Sequence, residues 1–367
     1  EVLMATQVGH PLPADALVRI LDEHGTPVDA APPPPPGEQL LAGYRAMVAA
    51  RRLNDQASAL VRQGRLAVYP SSHGQEACQV AAAAVLADGD WLFPTYRDTA
   101  AIVARGVDPV EVLAMLRGDW HCGYDTPAHR VAPQATPLAT QLLHAVGVAH
   151  AARLKGEDTV VMALCGDGAT SEGDFHEALN FAAVFAAPVV FLVQNNKYAI
   201  SVPLARQTVA SSLAAKGVGY GMPGVRVDGN DLAALTVVLS DAVRRAREGG
   251  GPTLVEADTY RMQAHTNADD ATRYRTDDEV RQWIPRDPLT RLRTYLTDRR
   301  LLDADAEARI TADAEEMAAR VRAGMAEEVA VDPLELFAHV TVRRGGQRAE
   351  QAELLAAELA ADEEVSR

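Results

Sequence analysis

The chain has 367 residues, 48% hydrophobic and 23% charged, an ordinary globular mix with room for one large domain or two smaller ones. A formal net charge of −15 excludes the basic footprint of a nucleic-acid binder and argues against adhesion to an anionic membrane. Three cysteines without a CxxC spacing (Cys78, Cys122, Cys165) exclude a disulfide scaffold and a four-cysteine zinc site, and point to a reducing, cytoplasmic compartment.

Residues 1–37 read as an N-terminal arm. Within it, 17–28 suggests a short hairpin-like element turning at His24-Gly25-Thr26-Pro27, and 32–36 is a polyproline spacer. Apolar residues at helical spacing predict a helix over 38–64, and a second runs from Gly74 through the alanines of 81–84 until Asp88-Gly89-Asp90. Asp108 before Pro109 predicts an N-cap and a first helical residue. Residues 141–154 form a helix closed by Lys155 and a Gly156 C-cap.

The uninterrupted apolar run 159–165 then marks a strand buried on both faces of a parallel sheet. A helix over 171–185 follows, with Ser171 and Asp174 as a loose capping box. Further strands are predicted at 188–194, 225–227 and 253–257, with a helix over 231–248. This alternation predicts a doubly wound, mostly parallel sheet flanked by helices. From about 287 the chain turns helical and charged, and 346–367 is a tail helix. The longest apolar stretch, 178–193, is broken by Asn180 and Pro188 and is shorter than the ~20 residues of a span. With no basic-then-apolar leader pattern, the expectation is a soluble, cytoplasmic protein.

Two clusters carry chemistry: Gly166-Asp167-Gly168-Ala169-Thr170-Ser171-Glu172-Gly173-Asp174, and Asn195-Asn196-Lys197-Tyr198. Each follows a predicted buried strand, at the sheet edge where open α/β folds bind ligands. Glycine lets the backbone approach a ligand closely, and a helix opening near Ser171 turns N–H groups toward an anion. Asp167 and Asn196 offer hard oxygen ligands suited to Mg²⁺ on a phosphate. A lone Gly-Asp-Gly is usually a turn and a lone Asn-Asn usually a loop, but a pair spaced by one helix reverses those odds. The rival is a Rossmann-type nucleotide-binding module. Ser171 stands where its third glycine belongs, and no acid follows the next strand.

Together with these clusters, six further segments resemble the alpha subunits of the thiamine-diphosphate-dependent 2-oxo acid dehydrogenases, across about residues 17–345. They are Arg62-Gln63-Gly64-Arg65, Gly74-Gln75-Glu76-Ala77, Pro94-x-Tyr96-Arg97-Asp98, Thr136-Pro137-Leu138-Ala139-Thr140-Gln141, Val227-Asp228-Gly229-Asn230-Asp231, and Tyr260-Arg261 through His265 to Tyr274-Arg275. Among relatives the text is most similar to actinobacterial branched-chain enzymes.

The resemblance implies a thiamine diphosphate-binding α/β domain over 38–345. Asp167, Asn196 and the Tyr198 carbonyl would hold Mg²⁺, Tyr96, Arg97, Arg261 and His265 would reach the diphosphate, and Thr136, Leu138, Gly168 and Ala169 would line the cofactor. Some relatives carry Glu at the Asp167 position or Arg at the Gln194 position. Thr136, Thr140 and Gln141 match a K⁺-binding turn of animal relatives, with Ala135 in place of a serine ligand. Tyr69 and Ser71 are candidates for the substrate side.

His265 lies in a polar segment, 263–276, that reads as a mobile loop over the site; its catalytic role would be to orient substrate or help protons move. Taken alone it would be an exposed loop histidine. His144 and His150 read as packing or surface residues. The small residues Ala145, Gly147, Ala149 and Ala151 suggest a subunit contact. The resemblance further implies a beta subunit in an α2β2 heterotetramer, which supplies the carboxylate this chain lacks, and a lipoyl-bearing dihydrolipoyl acyltransferase core. The reaction implied is oxidative decarboxylation of a small branched-chain 2-oxo acid with acyl transfer to lipoamide, with pyruvate as the alternative substrate.

Overall fold

The computed structural model describes residues 15–118, 122–327, 332–338, 340–343 and 345–365; the first part of the expected N-terminal arm lies outside the described residues. The strands are β1 (Leu17–Val18), β2 (Trp91–Phe93), β3 (Val161–Gly166), β4 (Val189–Asn195), β5 (Tyr198–Ala199), β6 (Val202–Pro203), β7 (Gly224–Asp228) and β8 (Thr253–Asp258). The longer helices are α1 (Gly37–Arg62), α2 (Glu76–Ala84), α3 (Pro109–Arg117), α4 (Thr140–Lys155), α5 (Gly173–Val184), α6 (Leu232–Arg247), α7 (Pro288–Asp298), α8 (Ala304–Ala326) and α9 (Gly346–Val365). Six strands form one sheet in the order β1-β7-β8-β4-β3-β2, every pairing parallel, while β5 and β6 make a separate antiparallel hairpin.

The central strands are apolar throughout because both faces are covered. Met162, Leu164, Val190 and Leu192 join a layer with α1, α2, α6 and α7. Their alternates Val161, Ala163, Cys165, Val189, Phe191 and Val193 pack against α4 and α5. A third cluster joins Leu53 and Leu60 of α1 to Leu113 and Leu116 of α3 and to Val321 and Met325 of α8, which ties the C-terminal helices to the domain. Two sheet strands escape the sequence pattern because at two and three residues they are too short to show a period. The predicted turn does form: Val28 N–H donates to the Ile20 carbonyl at 2.9 Å and Gly25 takes φ +78°. Its first residues, however, leave the hairpin to pair with β7.

Asp231 explains that attachment. Its Oδ2 accepts from the N–H groups of Ile20 and Leu21, each at 2.7 Å, while Oδ1 caps α6 through Ala233 and Ala234. Beside it, Asp228 receives Arg19 at 2.8 Å and the buried Arg291 at 2.9 Å. The Val227–Asp231 segment therefore serves as an anchor for the arm and α7. The caps at Asp108 and Gly156 form as predicted.

Two expectations are corrected. Ser171 does not start a helix: residues Asp167–Ser171 form a 3₁₀ turn, closed by Thr170 Oγ1 donating to the Asp167 carbonyl at 2.9 Å, and α5 begins at Gly173. The small residues of α4 do not share a face, because steps of two residues swing to opposite sides of a helix. Ala145 and Ala149 are buried, whereas Gly147 and Ala151 are exposed. Among the described residues no helix is long and apolar enough to cross a membrane.

Candidate active site

A cavity of about 500 Å³ opens at the carboxyl edge of β3 and β4, where Gly166 pairs with Gln194 in register. Parallel pairing sets the ends of the two strands side by side, and the chain beyond each supplies one wall. After β3, the 3₁₀ turn carries Asp167, Gly168 and Ala169; after β4, the β5–β6 hairpin folds back over it. Gly168 is required here because an added Cβ would sit 2.8 Å from the Ala199 side chain.

At this end the oxygens converge. Asp167 is 1% exposed, and its Oδ1 accepts from the Asn196 backbone N–H at 3.2 Å. The Asn196 amide places one atom 3.2 Å from Asp167 Oδ1 and 3.2 Å from the Tyr198 carbonyl oxygen. With the amide nitrogen there, both acceptors are satisfied by hydrogen bonds. With the amide oxygen there, it accepts from the Tyr198 N–H at 3.3 Å and stands 3.2 Å from each of the other two oxygens, a close approach that a cation among them would relieve. One carboxylate, one amide and one carbonyl suit Mg²⁺, which retains waters and takes its other ligands from phosphate. Among the described residues no cluster of three His, Cys, Asp or Glu exists that could hold a metal in another way. Burial pushes the Asp167 carboxyl up, opposed by the hydrogen bonds from Gln207 and Asn196. Lys197 holds the turn from behind: at φ +79° it reaches Asp258 at the end of β8, which also binds Arg226 at 2.7 Å.

Beside these oxygens lies a cationic cluster. Arg97 donates to the Ser71 carbonyl at 2.7 Å, to the His265 carbonyl at 3.1 Å and to His265 Nδ1 at 3.0 Å. Arginine cannot accept, so Nδ1 must, and the neutral ring carries its proton on Nε2. Arg261, 1% exposed, donates to the carbonyls of Tyr198 at 3.2 Å and Ile200 at 2.6 Å, and to the Tyr274 hydroxyl at 2.9 Å. Burial, then Arg97 and Arg261, push the His265 imidazole down to about 4. Burial and the neighbouring Arg97 also lower Arg261. Two guanidiniums beside a neutral histidine form a pocket short of anions, which a diphosphate would supply.

Tyr96, Arg97, Leu138, Asp167, Gly168, Ala169, Asn196, Tyr198, Arg261 and His265 all line this cavity. Thr136 is exposed and does not. Nor do Tyr69 and Ser71: Tyr69 lies in the α1–α3–α8 cluster and the Ser71 hydroxyl donates to Asn54 Oδ1 at 2.8 Å, although the Ser71 carbonyl supports Arg97. The 263–276 segment folds onto the site, with the His265 N–H and the Tyr274 hydroxyl both donating to Asp269 Oδ2, at 2.8 and 2.5 Å. Gln194 spends its Nε2 on the buried Asp98 at 2.7 Å. Cys165 is a fully buried core residue whose thiol burial pushes up.

Among the lining residues with no role assigned from sequence are Gln75, Arg206 and Gln207. Gln75 lies in one of the resembling segments and is 1% exposed, with Nε2 unpartnered. Gln207 donates from Nε2 to Asp167 Oδ2 at 2.8 Å. No residue pattern signals Gln207 as a site residue, since the hairpin before it consists of two-residue strands.

The family model described as "Dehydrogenase E1 component" matches residues 44–335. The 3-methyl-2-oxobutanoate dehydrogenase subunit alpha of Mycobacterium tuberculosis (strain CDC 1551 / Oshkosh) is 49% identical over 325 residues, covering 89% of each chain. The pyruvate dehydrogenase E1 component subunit alpha of Staphylococcus aureus (strain Mu50 / ATCC 700699) is 41% identical over 295 residues, covering 79% of each. With a match that takes in both strand-end clusters and the loop carrying His265, the chain belongs to the dehydrogenase E1 component family.

Proposed function

We propose that this chain is the alpha subunit of a thiamine-diphosphate-dependent 2-oxo acid dehydrogenase acting on branched-chain 2-oxo acids of the 3-methyl-2-oxobutanoate type. The observation that carries the reading is a single cavity in which Asp167, the Asn196 amide and the Tyr198 carbonyl stand close together and two buried arginines, Arg97 and Arg261, lie beside them. The substrate class draws support from the more similar relative, named for 3-methyl-2-oxobutanoate, over the one named for pyruvate.

In this reading Asp167, Asn196 and the Tyr198 carbonyl hold Mg²⁺. Arg97 and Arg261 neutralise the diphosphate, with Tyr96 and the Nε2–H of His265 beside them. Gly168, Ala169 and Leu138 line the cofactor. Bound thiamine diphosphate supplies the electron sink for decarboxylation. His265 orients the substrate through a neutral N–H donor, and folding of 263–276 over the cavity excludes water.

The carboxylates lining the cavity leave no buried glutamate free: Asp98 accepts from Gln194 and Thr95, Asp167 belongs to the cation site, and Glu172 is exposed. We therefore assign the missing acid to a beta subunit in an α2β2 assembly, with a lipoyl-bearing acyltransferase as the acyl acceptor. The relatives' names as alpha subunits support a partner chain. The three free cysteines support a cytoplasmic setting. The proposal does not extend to K⁺ at the 136–141 turn, where Ala135 stands in place of a serine ligand and offers no side-chain oxygen.

Titration calorimetry on the chain assembled with its partner subunit tests the reading. Thiamine diphosphate should bind only with Mg²⁺ and NAD should not bind; NAD binding without thiamine diphosphate binding refutes it. Among 2-oxo acids, kcat/KM for 3-methyl-2-oxobutanoate should exceed that for pyruvate by roughly tenfold or more, the scale that extra methyl groups supply in an apolar pocket. The reverse order selects the pyruvate reading.

A further inference from the structure

We propose that Gln207 is a positioning residue for the cation, holding Asp167 so that only one carboxylate oxygen faces the ligand position. The inference rests on the cation reading above.

The Gln207 amide orientation is fixed by its surroundings. Its Nε2 lies 2.8 Å from Asp167 Oδ2 and 3.1 Å from the Val202 carbonyl, two acceptors that admit only the donor end. Asp167 is thereby divided between two tasks. Oδ2 is occupied by Gln207, and Oδ1 stands beside Asn196 and the Tyr198 carbonyl. The backbone fixes Gln207 in place, since its N–H donates to the Leu204 carbonyl at 2.9 Å and the Leu204 N–H donates to the Lys197 carbonyl at 3.0 Å. One closed loop thus carries a metal-turn residue at each end.

A one-oxygen carboxylate matters for the choice of ion. Mg²⁺ demands near-octahedral geometry with single-oxygen ligands, whereas Ca²⁺ accepts more ligands and two-oxygen carboxylates. By occupying Oδ2, Gln207 prevents the two-oxygen mode and leaves positions for phosphate and water. Its own Oε1 is buried with no partner. A water retained on a bound cation would supply the missing donor. Groups that orient a metal ligand in this way contribute measurably to affinity.

The test uses the full chain assembled with its partner subunit and follows thiamine diphosphate binding by calorimetry across Mg²⁺ and Ca²⁺ series. Gln207→Met keeps the volume and removes the donor; Gln207→Leu is a second apolar replacement should the first fold poorly. Half-saturating Mg²⁺ should rise about 10–100-fold, Ca²⁺ should rise less, and the melting temperature of the metal-free protein should hold. The shrinking preference for Mg²⁺ over Ca²⁺ is a readout that loss of packing would not move. A Mg²⁺ requirement within about twofold of the parent overturns the proposal. Equal shifts for both ions with a lower metal-free melting temperature overturn it as well. Asp167→Ala separates the two readings: if it retains Mg²⁺-dependent binding, the cation site itself is misassigned, whereas its loss beside a normal Gln207→Met removes only the role of Gln207.

Discussion

Two clusters line the cavity: Asp167, Asn196 and Tyr198, the oxygen end, follow directly from the ends of two paired strands, whereas the cationic end draws Arg97 from the loop after β2 and Arg261 and His265 from the segment after β8. The first end takes its geometry from backbone register, with side-chain amides trimming the detail. The second is held by arginines clamped onto main-chain carbonyls, Arg97 on Ser71 and His265, Arg261 on Tyr198 and Ile200. The two are not independent. Arg261 grips the same Tyr198 carbonyl that faces the cation position, so charge neutralisation and metal geometry share one atom.

The strongest way to break this division is Asp167→Ala. Losing the one carboxylate ligand should weaken Mg²⁺-dependent cofactor binding by about 100-fold or more, read by calorimetry, and unchanged affinity would sink the assignment of the oxygen end. Arg261→Leu comes next, because it strips donors from two carbonyls and a tyrosine hydroxyl at once. Unfolding in urea should show a loss of about 2–3 kcal/mol, the cost of buried acceptors left without partners, and the Mg²⁺ requirement should rise too. Arg97→Leu, which does not touch Tyr198, should lower diphosphate affinity while moving the Mg²⁺ requirement less. Equal Mg²⁺ effects from both arginines would erase the distinction.

A smaller effect concerns His265. Its imidazole should titrate near pH 4 in the cofactor-free protein by NMR, and move up toward 6.5 in Arg97→Leu. Because the folded value lies below the unfolded one, the unfolded chain takes up the proton first. The stability from this group is therefore complete above about pH 6.5 and is lost as pH falls toward 4. A histidine titrating normally in the parent protein would mean that the cationic end does not act on it. The smallest effect isolates the left-handed turn at the oxygen end. Lys197→Gly and Lys197→Ala both remove the ion pair with Asp258, but the glycine variant should be more stable by about 1 kcal/mol in chemical denaturation, since only alanine pays for positive φ.

The same contrast accounts for what could be read from sequence. The oxygen end lies in continuous text, apolar strand then glycine and acid, so both the sheet and its ligand edge were legible from residue pattern. The cationic end was not: nothing in the spacing of Arg97 and Arg261 shows that they meet, and only the resemblance joined them. Gln207 escaped both routes, because β5 and β6 are two residues each and leave no periodicity. The resemblance puts Tyr69 and Ser71 toward the substrate side. The fold instead turns Tyr69 into a helical cluster and uses Ser71 through its carbonyl. The stripe of small residues on α4 misled for a related reason, since proximity in sequence is not a shared helical face.

Lysine occurs only at positions 155, 197 and 216, and this scarcity has a practical side. Of the three side-chain amines, Lys197 is tied to Asp258 and Lys216 donates to Thr170, whereas the Lys155 side chain is 68% exposed. Lys155 ends α4, just before β3 begins, and so stands at the edge of the sheet opposite the cavity. With the N-terminal amine blocked, amine-directed coupling should therefore tether the subunit through one dominant point and in one orientation, with its mouth turned away from the support.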